Sequence, residues 1–206
     1  MRMRKKRNGA QRLENCSDYM ITEKPYSIPN GRKLMVEIGC GKGAFMLALA
    51  EREPDVSFVA IERVSDVILL AAEKIKASGL ENVKLLCADA VTLEEYFPAC
   101  SIDRIYLNFS DPWPRSKHAK RRLTAPSYLE IYKRLLKPDG AIFLKTDNRI
   151  LFDYSLETLR ASGFRFEKLT FDLHNSEYED GNIHTEYEDN FSAKGFAINR
   201  VEAYRR

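Results

Sequence analysis

Residues 37–43 read Glu-Ile-Gly-Cys-Gly-Lys-Gly, an acid followed by glycines at 39, 41 and 43. Glycines at that spacing let a backbone turn sharply and approach a ligand closely. A phosphate-cradling loop of the form G-x-x-x-x-G-K-[S/T] is excluded, because Gly41-Lys42 is followed by Gly43. Gly39, Gly41 and Ala44 satisfy the dinucleotide spacing G-x-G-x-x-[G/A]. Glu37 to Gly43 also satisfies E/D-x-G-x-G-x-G, the loop that holds S-adenosylmethionine. Charge separates these two readings. A pyrophosphate seeks helix N-terminal amides, and Glu37 opposes it. S-adenosylmethionine carries a sulfonium and an ammonium, which a carboxylate attracts. Glu62, in Ala-Ile-Glu-Arg, can accept from both hydroxyls of a ribose, and Asp89, in Cys-Ala-Asp-Ala, can accept from the exocyclic amine of an adenine. Singly each acid could be a helix cap. Cys40 has no visible base partner and reads as a small loop residue.

A second set of reactive types lies in Leu-Asn-Phe-Ser-Asp-Pro-Trp-Pro-Arg-Ser-Lys-His-Ala-Lys-Arg-Arg-Leu-Thr, residues 107–124. Asp111 and Trp113, the only tryptophan, each precede a proline, which predicts extended dihedrals and a stiff carboxylate beside a stiff indole. Stiffness lowers the entropic cost of positioning groups for reaction. Arg115, Lys117, Lys120, Arg121 and Arg122 follow with no acid among them, a charge pattern suited to nucleic acid. Its bland alternative is a solvated charged loop. Lys145-Thr146-Asp147-Asn148 and the stretch containing Thr185, Glu186, Tyr187 and Glu188 add further acids. Acids facing a bound base suit a product that becomes cationic. His174 and His184 carry no signal in the sequence.

These residues sit where strands end. Apolar runs at 33–38, 56–61, 83–87, 102–109 and 141–145 read as strands. Helical periods at 44–52, 64–75 and 127–136 and at 150–161 alternate with them, and a short helix is expected at 93–97. The alternation predicts an α/β fold with a mostly parallel sheet and helices on both faces. Two late strands follow without a helix between them, 164–173 with a phase slip near Lys168 and 195–204, so one of them should run antiparallel. The expected architecture is a seven-stranded, Rossmann-like sheet whose ligands bind at the carboxyl ends of the strands.

The composition bounds the alternatives. With 206 residues, 44% hydrophobic and 31% charged, the chain fits one domain at 33–206, preceded by a basic arm at 1–32 with little fixed structure. The net charge is only +3, but residues 2–12 hold six cations and no acid, while 177–189 hold six acids and no Lys or Arg. No apolar run reaches the ~18 residues of a membrane span, so no membrane partner is expected. Four scattered cysteines without a C-x-x-C pair argue against a structural metal and for reduced thiols in a cytoplasmic setting. Monomer and homodimer are both open.

The segments EIGCGKGAF, AIER, ADA, NFSDPWPRSKHAKRRLT, KTDN and HTEYEDNF together resemble the bacterial tRNA (guanine-N7-)-methyltransferase family from about residue 33 to the C-terminus. The resemblance implies a class I methyltransferase fold, S-adenosyl-L-methionine as cofactor, tRNA as partner, and methyl transfer to N7 of guanine 46 in the variable loop. By motif it assigns Glu37, Gly39, Gly41, Gly43, Glu62, Asp89 and Asp111 to the cofactor, with Asp111 also catalytic. Arg115, Asp147, Thr185, Glu186, Tyr187 and Glu188 would line the substrate site, and Lys117, His118, Lys120, Arg121 and Arg122 would touch tRNA. Arg115 departs from the family's usual lysine, and the region before the first strand is shorter than usual. Two readings of other kinds stay open: methylation of an exocyclic amine, because Asp-Pro-Trp-Pro faintly echoes D-P-P-Y, and a non-catalytic tRNA-binding protein. A nicotinamide-dependent oxidoreductase is weakest, since it leaves Glu37 and the basic run without a role.

Overall fold

The apolar runs become strands, and their carboxyl ends carry the candidate site residues. The computed structural model describes residues 6–29 and 31–205, and for Glu186 the backbone alone. The chain divides into two compact units, Met1–Phe97 and Pro98–Arg206.

In the first unit, β1 (Leu34–Ile38), β2 (Ser57–Ile61) and β3 (Val83–Leu86) pair in parallel. Every residue of β1 and β2 is buried, as expected of parallel strands covered on both faces. Glu37 is the exception in chemistry, a carboxylate only 3% exposed within an otherwise apolar strand. Helix α2 (Ala44–Arg52) follows the glycine loop with the expected bounds, and α3 (Ser65–Ser78) closes on Gly79 in the left-handed conformation. Gly43 has φ +73, and a Cβ there would meet the Ala71 side chain at 2.9 Å. Glycine therefore lets the loop leave tightly against α3.

Residues 6–21, expected to have little fixed structure, are anchored. Helix α1 (Gly9–Glu14) packs on α3 through a bidentate Arg12–Glu73 pair, with both N···O distances 2.7 Å. Asp66 accepts from the Lys6 backbone N–H at 3.0 Å. Met20 then bridges Leu85 in parallel, with the Ile21 N–H donating to the Leu85 carbonyl at 2.8 Å. These are polar contacts between residues far apart in sequence, which hydrophobic periodicity does not register. Residues 1–5, including Arg2, Arg4 and Lys5, and residue 30 lie outside the described residues.

In the second unit, β4 (Ile102–Asn108) and β5 (Leu136–Thr146) pair in parallel, and β7 (Asn199–Tyr204) runs antiparallel between β5 and β6 (Arg165–Thr170). The sheet order is β3-β2-β1-β4-β5-β7-β6, so one strand near the C-terminus is reversed, as the two late strands predict. The expected phase slip is real: Lys168 has φ +44, and the β6–β7 register shifts between Glu167 and Thr170. Helix α4 (Pro126–Leu135) begins with proline at its first turn, and α5 (Arg149–Ala161) is capped by the Asn148 side chain, which accepts from the Leu151 N–H at 2.9 Å. The helix expected at 93–97 is a 3-10 turn over Ala90–Glu95. Helix α6 (Glu186–Ser192) stands where the sequence suggests only an acidic loop. No helix among the described residues is long and apolar enough to cross a membrane.

Candidate active site

The glycine loop is built as a cradle. Gly39 and Gly41 have φ +82 and +56, and nothing lies within 4 Å of where a Cβ on either would stand. The Gly39 and Cys40 amides donate to the Ile61 carbonyl at 2.8 and 3.0 Å, tying the loop to the end of β2. Glu62 follows at that end, with its carboxylate accepting from the Val64 N–H at 3.0 Å. Asp89 follows β3, caps the 3-10 turn through the Val91 N–H at 3.2 Å, and faces Arg63 at 3.9 Å. Burial, and then the negative charges of Glu37 and Glu62, push the Cys40 thiol well up. A thiol held protonated is no nucleophile, in keeping with the small-loop reading. Three carboxylates at the ends of β1, β2 and β3, beside two glycines with open space above them, fit a cationic ligand that also carries a ribose and an adenine.

In the second unit, β4 delivers the stretch 109–122. Phe109 has φ +50 and donates its N–H to the Lys145 carbonyl at 2.8 Å. Asp111 is exposed. Trp113 departs from expectation. It has φ +42 and not an extended backbone, a conformation that costs a bulky residue about 1–3 kcal/mol. Surrounding contacts hold it there. Its ring meets the Arg121 guanidinium at 4.9 Å and the His118 ring edge-on at 5.9 Å. The Arg122 guanidinium donates to the flanking carbonyls of Pro112 at 2.9 Å and Trp113 at 3.2 Å. Arg115, Lys117, Lys120 and Arg121 are exposed and His118 is half-buried, whereas Arg122 is only 6% exposed. An RNA contact, expected of Arg122 with its neighbours, does not fit that burial.

The end of β5 carries Lys145, Thr146 and half-buried Asp147, whose carboxyl is pushed up by burial. Lys145 Nζ donates to the Asn182 side chain at 3.0 Å, the Ile183 carbonyl at 2.9 Å and Glu188 Oε2 at 2.6 Å. Glu188 Oε1 accepts from Asn182 at 2.9 Å and meets His174 at 3.0 Å. Burial alone would raise the Glu188 carboxyl. The Lys145 charge and the hydrogen bonds from Lys145, Asn182 and His174 outweigh it and hold the group low. Glu188 and Thr185 also form the capping box that starts α6. With Glu188 0% exposed, both residues act as anchors of this segment, and the direct substrate contact expected of Glu188 is not what its burial allows. The side chain of Glu186 lies outside the described residues. Tyr187 is exposed, stacks on Phe191 at 4.2 Å and meets the Phe109 ring at a tilt, with centroids 5.0 Å apart. Burial raises its hydroxyl, and the carboxylates of Asp147 and Asp111 raise it further. Asp111, Asp147 and Tyr187 therefore share one electrostatic neighbourhood.

Asn182, His174 and the helix-forming role of 185–188 escape a sequence reading, although Thr185-x-x-Glu188 is the signature of a capping box. His184 escapes as well. It bridges Glu179 at 2.6 Å and Asp189 at 2.7 Å through its two ring nitrogens, and it stacks on His174 at 4.9 Å. Burial lowers its basicity, but hydrogen bonds to Glu179 and Asp189 win and raise it above the ordinary histidine value. A raised native pKa adds stability that is fully present below the unfolded value of ~6.5 and is lost as pH rises through the native one. His184→Gln should therefore lower the thermal midpoint more at pH 5.5 than at pH 9, with the difference worth at most about 1 kcal/mol because the pair is partly exposed. An equal loss at both pH values would show that the ring is neutral in the fold.

Residues 31–201 match the family model described as "Putative methyltransferase". A relative named tRNA (guanine-N(7)-)-methyltransferase from Streptococcus thermophilus is 45% identical over 98% of each chain. One of the same name from Staphylococcus epidermidis is 50% identical over 82% of this chain and 79% of its own. Among solved structures, one described as an antibiotic-related methyltransferase superposes with a TM-score of 0.64 over 98% of this chain and 96% of that one. At 18% identity it speaks for the fold alone. The S-adenosylmethionine-type loop, the acids that end β1 to β3 and the Asp-Pro-Trp-Pro stretch are thus set in a methyltransferase architecture, and the chain belongs to the tRNA (guanine-N(7)-)-methyltransferase family.

Proposed function

We propose that this protein transfers a methyl group from S-adenosyl-L-methionine to N7 of guanine 46 in the variable loop of tRNA. The observation that carries the reading is the 45% identity, spanning 98% of each chain, to a relative of that named activity. The loop geometry supports it, since the open backbone at Gly39 and Gly41 leaves room for a ligand. Glu37, Glu62 and Asp89 supply the acids that a sulfonium-bearing nucleoside needs.

When bound, S-adenosyl-L-methionine supplies a methyl group made electrophilic by its sulfonium. Guanine N7 is a lone-pair acceptor that carries no proton, so the chain's residues need not provide a strong base. Their work is to bind, orient and tolerate charge. Asp111 accepts from the guanine edge and stabilises the positive charge that develops on the purine. Asp147 and Tyr187, which share its electrostatic neighbourhood, complete the base site. Thr185 and Glu188 hold Tyr187 in place through the α6 cap. Arg115, Lys117, Lys120 and Arg121 are exposed cations for the phosphates.

The test is direct. The protein is incubated with methyl-labelled S-adenosyl-L-methionine and unmodified tRNA, and the digested RNA should carry label in 7-methylguanosine. A tRNA with adenine at position 46 should take up none. Label in another nucleoside, such as an N-methylated amine, or no label at all, would overturn the assignment.

A further inference from the structure

We propose that Arg122 is a positioning residue that clamps the 111–114 turn, and that the basic run therefore divides into RNA-facing cations and one internal clamp. Arg122 is buried, unlike its neighbour Arg121. Its Nε and one terminal nitrogen donate to two successive carbonyls, Pro112 and Trp113, at 2.9 and 3.2 Å. A planar guanidinium reaches both at once, whereas an ammonium is a point donor on a flexible stem. The guanidinium is itself seated on the Tyr154 ring of α5, with its central carbon 4.3 Å from the ring centroid.

The clamp has rigid supports on either side. The Arg122 N–H donates to the Ala119 carbonyl at 3.0 Å, and its own carbonyl accepts from the Ala125 N–H at 2.9 Å. Thr124 is buried and shares a 2.7 Å hydrogen bond with Ser155 on α5. Trp113 occupies a backbone region that a residue before proline does not choose, so something must impose it. Charge-assisted donors on its own carbonyl and the preceding one supply that constraint. Asp111 sits immediately before the clamped Pro112 carbonyl, so its carboxylate inherits the position of the turn.

Trp113 is the only tryptophan, and its fluorescence reports the turn whatever reaction the protein catalyses. In Arg122→Lys, the emission maximum should shift to the red and acrylamide quenching should rise, as the ring loosens from its packing. The kinetic arm rests on the methyl transfer proposed above. There kcat should fall about 10²-fold, the cost of a misplaced reacting group, with the KM for tRNA and the salt dependence of tRNA binding kept. Arg121→Ala provides the contrast, since loss of a phosphate contact lowers the salt slope by about 1.

Tyr154→Phe keeps the seat and should behave as wild type. Tyr154→Ala removes the seat while leaving every cation in place, and should reproduce the Arg122→Lys shift even if Arg122→Lys folds poorly. Wild-type emission in both Arg122→Lys and Tyr154→Ala would overturn the clamp, as would an unchanged kcat or a salt slope reduced as in Arg121→Ala. A wild-type protein that makes no 7-methylguanosine would defeat the function reading and leave the fluorescence result standing.

Discussion

Asp111→Asn should lower kcat by about 10²–10³-fold, the usual loss when one group aimed at developing charge is removed. The substitution keeps the size of the side chain and removes the charge. Methylation places a positive charge on the purine, and an amide cannot balance it. Because Asp111 is exposed, losing its charge leaves no buried group unpaired, so the thermal midpoint should stay near the wild-type value. The KM for tRNA should also hold, since phosphate binding belongs to the cations that follow. Asp111→Glu provides the positional control. It keeps the charge but moves it by one methylene, and should recover only part of the loss. Wild-type turnover in Asp111→Asn would remove this residue from the chemistry and shift attention to Asp147.

Lys145→Met should be the most destabilising single change in the β5–α6 region. It takes the cation away from a Glu188 carboxylate that is fully buried and held low chiefly by Lys145. Breaking a buried pair in this way costs about 3–5 kcal/mol. For a chain of this size that is roughly 10 °C in the thermal midpoint. The effect has a pH signature. Glu188 has a depressed native pKa, so its contribution is present above the unfolded carboxylate value of ~4.3 and is lost as pH falls through the native one. The wild type and Lys145→Met should therefore converge in stability as the medium is made strongly acidic. Adding Glu188→Gln to Lys145→Met should restore stability in part, because a neutral amide needs no counter-charge and can still accept from Asn182. A double variant no better than the single one would show that the cost lies in lost packing of the lysine stem.

How much of this was legible depends on the kind of signal. Where burial drives structure, a periodicity suffices. Helix α2 has the expected bounds, and even the bulge at Lys168 is visible as a slip in alternation. The reversed late strand is expected because no helix is legible between the last two strands; the reversal is there, although α6 stands between them. Polar contacts between distant positions leave no such trace. Arg12 and Glu73 are 61 residues apart, and Lys145 and Glu188 are 43 apart. Such pairs explain both the anchored arm and the ordered 182–188 segment.

The basic run shows a subtler limit. Composition treats Arg121 and Arg122 alike, yet one lies outward over an indole and the other inward beneath a turn. The proline rule failed at Trp113 for the same reason, since it weighs local sterics and not the donors that grip the carbonyls. Among the candidate acids, Glu37, Glu62 and Asp89 were legible because strand ends can be read from sequence. Their meaning as a set came from charge and not from any one residue.

The bridge from Met20 to Leu85 has a practical bearing on how the basic arm is studied. β3 lies at one margin of the sheet, and a bare margin offers a row of unpaired amides and carbonyls to any passing strand. Ile21 occupies part of that row. A truncation that ends beyond residue 21 therefore removes positive charge and opens a template for self-association at the same time. Aggregation of such a fragment would say nothing about RNA. Replacing Lys6 and Arg7 with glutamine, while sparing Arg12 and the bridge, changes the charge and leaves the margin covered.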